Sequence, residues 1–161
     1  MQIIKNRSIV EDSWHLLGPE DAPSDGDVIV PFARWQAERE QLLSHHGKLG
    51  VQISGGQDLK TLAKDLQHFQ IIVLSFERFA DGRCYSYARL LRERFSYTGE
   101  LRAVGDVLHD QLAYMERCGI DSFALRDDQD LAAALRAFDA FSAHYQTAAD
   151  QAQPIARQRH I

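Results

Sequence analysis

Apolar positions along this chain fall into two kinds of segment: short runs of strand length, and longer stretches that recur with the 3.6-residue period of a helix. From Leu49 onward the two kinds alternate. Residues 49–53 form a strand and lead to a helix from about Asp58, in which Leu59, Leu62, Ala63 and Leu66 stand at i, i+3, i+4 and i+7. Residues 70–76 carry Ile-Ile-Val-Leu, the unbroken run of a strand covered on both faces, and the spacing predicts a helix over 85–95 after it. Residues 101–104 make a third strand; Leu108, Leu112 and Met115 then share one helical stripe, which Gly119 stops. The fourth strand is 122–125. Asp127 or Asp128 caps a last helix carrying Leu131, Ala134, Leu135, Phe138 and Tyr145.

Ahead of these units, residues 1–30 read as a short β-rich lead-in, with 2–4 and 8–14 pairing as a hairpin around Lys5-Asn6-Arg7. Residues 18–27 gather Gly18, Pro19, Pro23, Gly26 and the acids Glu20, Asp21, Asp25 and Asp27, an exposed loop that separates lead-in from main body. A β-branched strand at 28–30 ends at Pro31. A helix over 32–44 follows, with Trp35, Leu42 and Leu43 as its apolar contribution. The polar tail 151–161, with Pro154, reads as disordered, so the folded domain is expected to span 1–150.

Repeated strand–helix units imply a mostly parallel sheet, because parallel strands need crossover connections and helices supply them. The fold class is therefore α/β: an open, mostly parallel sheet of repeated strand–helix units behind a β-rich lead-in. Too few units are present to close an eight-stranded barrel alone, which leaves a TIM-barrel-like fragment, or a barrel completed by dimerisation, as the alternative.

Composition narrows the class without changing it. The 161 residues are 45% apolar and 25% charged, enough for one core, and the formal net charge of −5 supplies no global basic field for nucleic acid. No apolar run approaches the roughly 18 residues of a membrane span, and Met1-Gln2-Ile3-Ile4-Lys5 lacks a signal pattern, so the cytoplasm is the expected compartment. Cys84 and Cys118 form no CxxC motif, so no metal site is expected. No Walker loop, GxGxxG or Ser–His–Asp spacing indicates a cofactor.

Ligands of parallel sheets bind where the strands' carboxyl ends turn into helices. Those turns hold Ser54-Gly55-Gly56, Asp81-Gly82-Arg83, Gly105-Asp106 and Arg126-Asp127, so glycine backbone, two arginines and several acids are expected on one rim. Glycine ahead of a helix start, with Arg83 beside it, suits an anion, although glycine also serves simply to turn the chain. Arg83, Arg89, Arg92 and Arg94 form the densest basic stretch, interleaved with Tyr85, Tyr87 and Tyr97. Arginine and tyrosine in this pattern fit a protein interface or an oxyanion. Equally, Arg89 pairs with Glu93 at i+4 and the others meet Glu100, Asp106 or Asp110 within the chain. His109 beside Asp106 and Asp110 offers a carboxylate–His pair or a plain helix start, and adjacent His45 and His46 diverge too far to share a metal. Of the two thiols, Cys84 lies near a helix start beside Arg83 and is the better redox candidate; Cys118 lies at a helix end, where the dipole raises a thiol pKa.

The stretch Phe79-Ala80-Asp81-Gly82-Arg83-Cys84-Tyr85-Ser86-Tyr87-Ala88-Arg89-Leu90-Leu91-Arg92, with Gly99-Glu100-Leu101-Arg102-Ala103-Val104-Gly105-Asp106-Val107-Leu108-His109-Asp110-Gln111-Leu112 and Arg117-Cys118-Gly119-Ile120-Asp121, resembles the bacterial family called domain of unknown function 934. The resemblance is strong over residues 70–123 and extends to the rest by length and element order. It implies a small protein encoded beside the haem-containing subunit of assimilatory sulfite reductase in proteobacteria, of the kind labelled probable oxidoreductases of sulfite reduction. The family motif usually has Gly at the position of Cys84, whereas Cys118 matches it. The motif residues Asp81, Gly82, Arg83, Arg89, Arg92, Glu100, Arg102, Asp106, Asp110 and Gln111 coincide with the rim and basic stretch, which makes that surface, with Tyr85 and Gly105, the expected anion- or partner-binding site.

Three functions remain open from the sequence. One is an accessory protein of sulfite reduction that docks a sulfite reductase subunit or its electron donor. Another is a small oxidoreductase, or an enzyme holding a sulfur oxyanion or phosphate. The last is a structural subunit whose Arg/Tyr face makes a homo-oligomer.

Overall fold

The chain opens with a hairpin whose turn explains its register. In the computed structural model, which describes residues 1–22, 25–77 and 82–138, strands β1 (Gln2–Lys5) and β2 (Ser8–Glu11) pair antiparallel with Lys5 opposite Ser8. Asn6 and Arg7 both take positive φ, 48° and 58°, the geometry of a two-residue type I′ turn. Arginine pays a steric penalty there. Its side chain is held by Glu116 at 2.7 and 2.9 Å and lies 5.5 Å over the Phe138 ring.

The remaining strands are β3 (His15–Leu16), β4 (Val28–Pro31), β5 (Leu49–Ser54), β6 (Ile71–Phe76), β7 (Glu100–Gly105) and β8 (Ser122–Phe123). The sheet order is β2-β1-β8-β7-β6-β5-β4-β3; β3 to β8 run parallel in chain order, and only β1 pairs antiparallel with its two neighbours. The expected open, mostly parallel α/β sheet is therefore what forms. The helices are α1 (Phe32–Leu43), α2 (Leu59–Ala63), α3 (Arg83–Glu93), α4 (Leu112–Arg117) and α5 (Leu131–Ala137).

Parallel strands laid down consecutively by crossovers of one hand place every helix on the same face. The buried side chains agree: Trp35, Leu62, Ala88, Leu91, Met115 and Ala134 from five helices join Val30, Val51, Ile72, Leu74, Leu101 and Phe123 in one core. The opposite face carries a separate small cluster, Ile29, Ile71 and Val73, against which Trp14 and Val104 pack; among the described residues no helix contributes to it.

The two edge strands, β2 and β3, are consecutive in the chain, joined only by Asp12, Ser13 and Trp14. Glu11 and His15 can be at most about 14 Å apart, whereas a flat sheet would hold its edge strands about 34 Å apart. The sheet must curl until its edges approach, with the helices outside and the second face inside. It stays open in hydrogen bonding, because its order ends at β2 and β3, and it shares with the alternative barrel reading only the curvature.

Several boundaries differ from the sequence pattern. The lead-in is part of the sheet rather than a separate unit, since β1 pairs β8 at Ile4–Phe123 and Lys5–Ser122. β3, at His15–Leu16, is a separate strand just past the segment 8–14 that was expected to be one strand. The strand expected over 122–125 stops at Phe123, so Leu125 falls beyond it. The helix after β5 is a single turn, capped by Asp58, and breaks before a 3-10 turn at Leu66–His68. Asp130, not Asp127 or Asp128, caps α5 by accepting from the Ala132 N–H at 2.9 Å; Asp128 instead takes Arg126. Gly119, at φ 101°, does stop α4: its N–H meets the Glu116 carbonyl and that of Ile120 the Met115 carbonyl, a Schellman closure. Asp81, Tyr145 and the tail 151–161 lie outside the described residues.

Candidate functional site

The carboxyl rim of the parallel strands and the inner face of the curl each bring polar groups together. At the rim, Gly105 pairs with Phe76 across β7 and β6, and the Asp106 N–H donates to the Phe76 carbonyl at 2.8 Å. Gly105 has φ 94°, and a Cβ there would stand 2.5 Å from that carbonyl oxygen, so glycine is required by both backbone angle and space. Gly82 precedes α3 on the same edge and is the helix N-cap. Arg83 reaches the neighbouring turn, where a Cβ on Gly56 would meet its Nη1 at 2.8 Å. Tyr87 fixes that turn, its hydroxyl accepting from the Gly56 N–H at 3.0 Å and donating to the Gln57 carbonyl at 2.8 Å. Farther along, Arg126 donates to Asp106 at 2.9 Å and to Asp128 at 2.7 Å. The strand-to-helix turns thus share one rim, with Gly82, Arg83, Gly105 and Asp106 on it.

The other motif residues disperse. Arg89 is 51% exposed on α3 and pairs with Glu93 at 3.1 Å. Arg92 lies at the amino edge of the sheet, donating to the carbonyls of Tyr97, Gly99 and Gly119 and to Asp121 at 2.8 Å. It clamps the turn entering β7 to the turn entering β8. Burial raises the Asp121 carboxyl, while the Leu101 N–H and the Arg92 charge draw it back. Asp110 is exposed on a 3-10 turn, His109–Gln111. Gln111 accepts from the Leu108 N–H at 3.0 Å, and His109 meets Gln129 rather than a carboxylate. Tyr85 is half-buried between Phe76 and Tyr114, ring centroids 5.1 and 5.2 Å away, and burial pushes its hydroxyl up to about 12. Both thiols are buried; Cys84 donates to the Ser75 carbonyl at 3.4 Å. Among the described residues no His, Cys, Asp and Glu cluster could hold a metal ion.

Arg102 sits on the inner face, 3% exposed. It donates to Glu100 at 2.8 and 3.0 Å and to Asp12 at 2.9 Å, while Lys5 donates to the other Glu100 oxygen at 2.6 Å. Burial works to raise the Glu100 carboxyl, but the Lys5 hydrogen bond, the Arg102 charge and hydrogen bonds from Ser122 and Arg102 outweigh it and hold it below the usual range. Beside this network a cavity of about 260 Å3 opens, lined by Met1, Asp12, Trp14, Leu16, Ile29, Gln52, Val73, Arg102, Val104 and Ala124. Sequence reasoning did not assemble this group, because it placed the lead-in apart from the sheet. The signal was the charged pair Glu100 and Arg102 in a strand, out of keeping with a sheet covered by helices on both faces.

The chain is thus an α/β domain whose mostly parallel sheet is curled, covered by helices on its outer face, and edged by a glycine-bearing rim at the carboxyl ends of its strands. Residues 50–156, from β5 onward, match the family model described as bacterial protein of unknown function (DUF934), and the chain belongs to that family. No curated protein and no solved structure matches it. Among the described residues no helix is long and apolar enough to cross a membrane.

Proposed function

We propose that this protein is an accessory component of assimilatory sulfite reduction that docks the reductase, or its electron donor, through the outer face of α3. One observation carries the reading. Arg83, Leu90 and Arg94 stand at i, i+7 and i+11, so the helical period puts them on one stripe, and all three are exposed, Leu90 by 38%. Arg89, exposed but paired with Glu93 at 3.1 Å, flanks that stripe. In a chain of net charge −5, a local band of arginine around an apolar residue suits an acidic partner surface, with the charges steering encounter and leucine filling a contact. The genomic company implied by the family resemblance names the partner to try first.

The test mixes the purified protein with the sulfite reductase haem subunit on gel filtration and follows binding at rising salt. Co-elution is expected, weakening with salt. Arg89→Glu and Leu90→Asp should each reduce affinity at least tenfold with the melting temperature nearly unchanged, since both sites are exposed. Failure to co-elute at low salt, or wild-type affinity in both variants, overturns the reading.

A further inference from the structure

The inner face of the sheet offers a site that the docking reading does not use. Strand register sorts its residues into rows. One row runs Gln52, Val73, Arg102, Ser122; the row above it, toward the carboxyl ends, runs Ser54, Ser75, Val104 and on to Ala124. The upper row is small, whereas barrel-like interiors are ordinarily filled by bulky branched side chains in successive layers. The 260 Å3 cavity is bounded by Gln52, Val73 and Arg102 of the first row and by Val104 and Ala124 of the second, with Ile29 of β4 closing it toward the amino ends.

Its walls specify a chemistry. Trp14 gives a flat, half-buried aromatic surface, and Ile29, Val73 and Val104 give aliphatic contact. Two groups supply polarity. The Gln52 amide, half-buried, makes no hydrogen bond to a described residue. Arg102 uses three of its five N–H groups on Glu100, Ser122 and Asp12, leaving one on each terminal nitrogen for an acceptor. The charges at the floor cancel, Lys5 and Arg102 against Glu100 and Asp12, and the Met1 ammonium in the wall faces Glu11 at 3.6 Å, so an added anion would meet no spare countercharge. The volume is smaller than that of pockets that hold drug-sized ligands, about 300–1,000 Å3.

We infer that the curled sheet binds a small, neutral, flat molecule, one aromatic or heteroaromatic ring bearing a carbonyl-type group, against Trp14 with its carbonyl toward Arg102 and Gln52. Benzamide is the probe, and benzoate its charged counterpart. In 1H–15N spectra of the full chain, benzamide should shift the Trp14 indole and Gln52 amide signals saturably, leave the Trp35 indole in place, and bind about tenfold more tightly than benzoate. Ala124→Phe, which fills the upper row, should abolish those shifts in a variant whose dispersed spectrum shows it folded. Gln52→Leu, which keeps the volume, should weaken binding severalfold. No shift of Trp14 up to the solubility limit of benzamide, benzoate binding the tighter, or unchanged benzamide binding in a folded Ala124→Phe variant would each overturn the inference.

Discussion

Replacing Arg102 with methionine is the sharpest test of how the inner face is held. The side chain is 3% exposed and makes ion pairs to Glu100 and Asp12, themselves nearly buried. Methionine keeps the length and apolar stem but removes the charge, leaving Asp12 without its cation and Glu100 with Lys5 alone. Breaking a buried pair by deleting one partner costs about 3–5 kcal/mol. The retained Lys5 contact places this case near the lower end, about 3 kcal/mol. Urea unfolding followed by circular dichroism measures it. The pH dependence supplies a second, independent sign. In the native protein Glu100 is held below its unfolded pKa near 4.3; its ionised form therefore adds stability that is present above that pH and is lost as pH falls through the lower folded value. In Arg102→Met the burial remains and a lowering charge is gone, so Glu100 titrates higher and the acid-limb loss of stability becomes shallower. A stability loss below about 1 kcal/mol, or an acid limb as steep as the native one, would refute the claim that Arg102 compensates these carboxylates.

At the rim, Gly105→Ala should lower stability by about 2–3 kcal/mol in urea unfolding, because alanine must adopt φ 94° and its Cβ meets the Phe76 carbonyl. Gly82→Ala is the contrast: its φ is −78° and nothing lies within 4 Å of the added Cβ, so the unfolded-state gain and the N-cap preference for glycine oppose each other and stability should change by less than about 1 kcal/mol. Tyr85, pushed by burial up to about 12, should ionise late in an ultraviolet pH titration together with Tyr97, which burial also raises, and Tyr85→Phe should remove its share of that late component. Because its folded pKa lies above the unfolded value near 10, the stability it contributes is full below pH 10 and fades as pH rises toward 12, a fade that Tyr85→Phe should lessen.

Much of the scaffold was legible because its signals are local. The Ile-Ile-Val-Leu run fixed β6, Pro31 the start of α1, and Gly119 the end of α4, since each rests on backbone chemistry within a few residues. The shared rim followed from one rule about parallel strands, and Gly82, Arg83, Gly105 and Asp106 do lie along it. Side-chain destinations were not legible in the same way. Arg89, Arg92 and Arg102 look alike in the sequence, yet one faces solvent, one ties two turns together at the far edge, and one is buried inside the curl. The difference for Arg92 depends on Gly119 and Asp121, about thirty residues away, and for Arg102 on Asp12, ninety residues away. The capping of α5 by Asp130 rather than Asp127 or Asp128 has a similar cause, because Arg126 engages Asp128 and Asp106 and so keeps that turn outside the helix.

The three residues between β2 and β3 connect these observations. So short a link between the two edge strands forces the curl, and the curl removes the inner face from the reach of any second helical layer. Polar residues can then occupy strand positions that a two-layered sheet would fill with aliphatics. Those polar residues in turn hold the link: Asp12 takes Arg102, and Arg102 takes Glu100, to which Lys5 of β1 also binds. The same network fixes the register of β1 against β8. A slip by one residue would turn Lys5 to the helical face and Ile4 inward, stripping Glu100 of its lysine while burying an ammonium group in the core. Hydrophobic burial alone would tolerate such a slip poorly; the charge network adds an electrostatic cost of the same sign. The antiparallel strand, the link and the buried arginine therefore depend on one another, and none of the three could be read from its own segment.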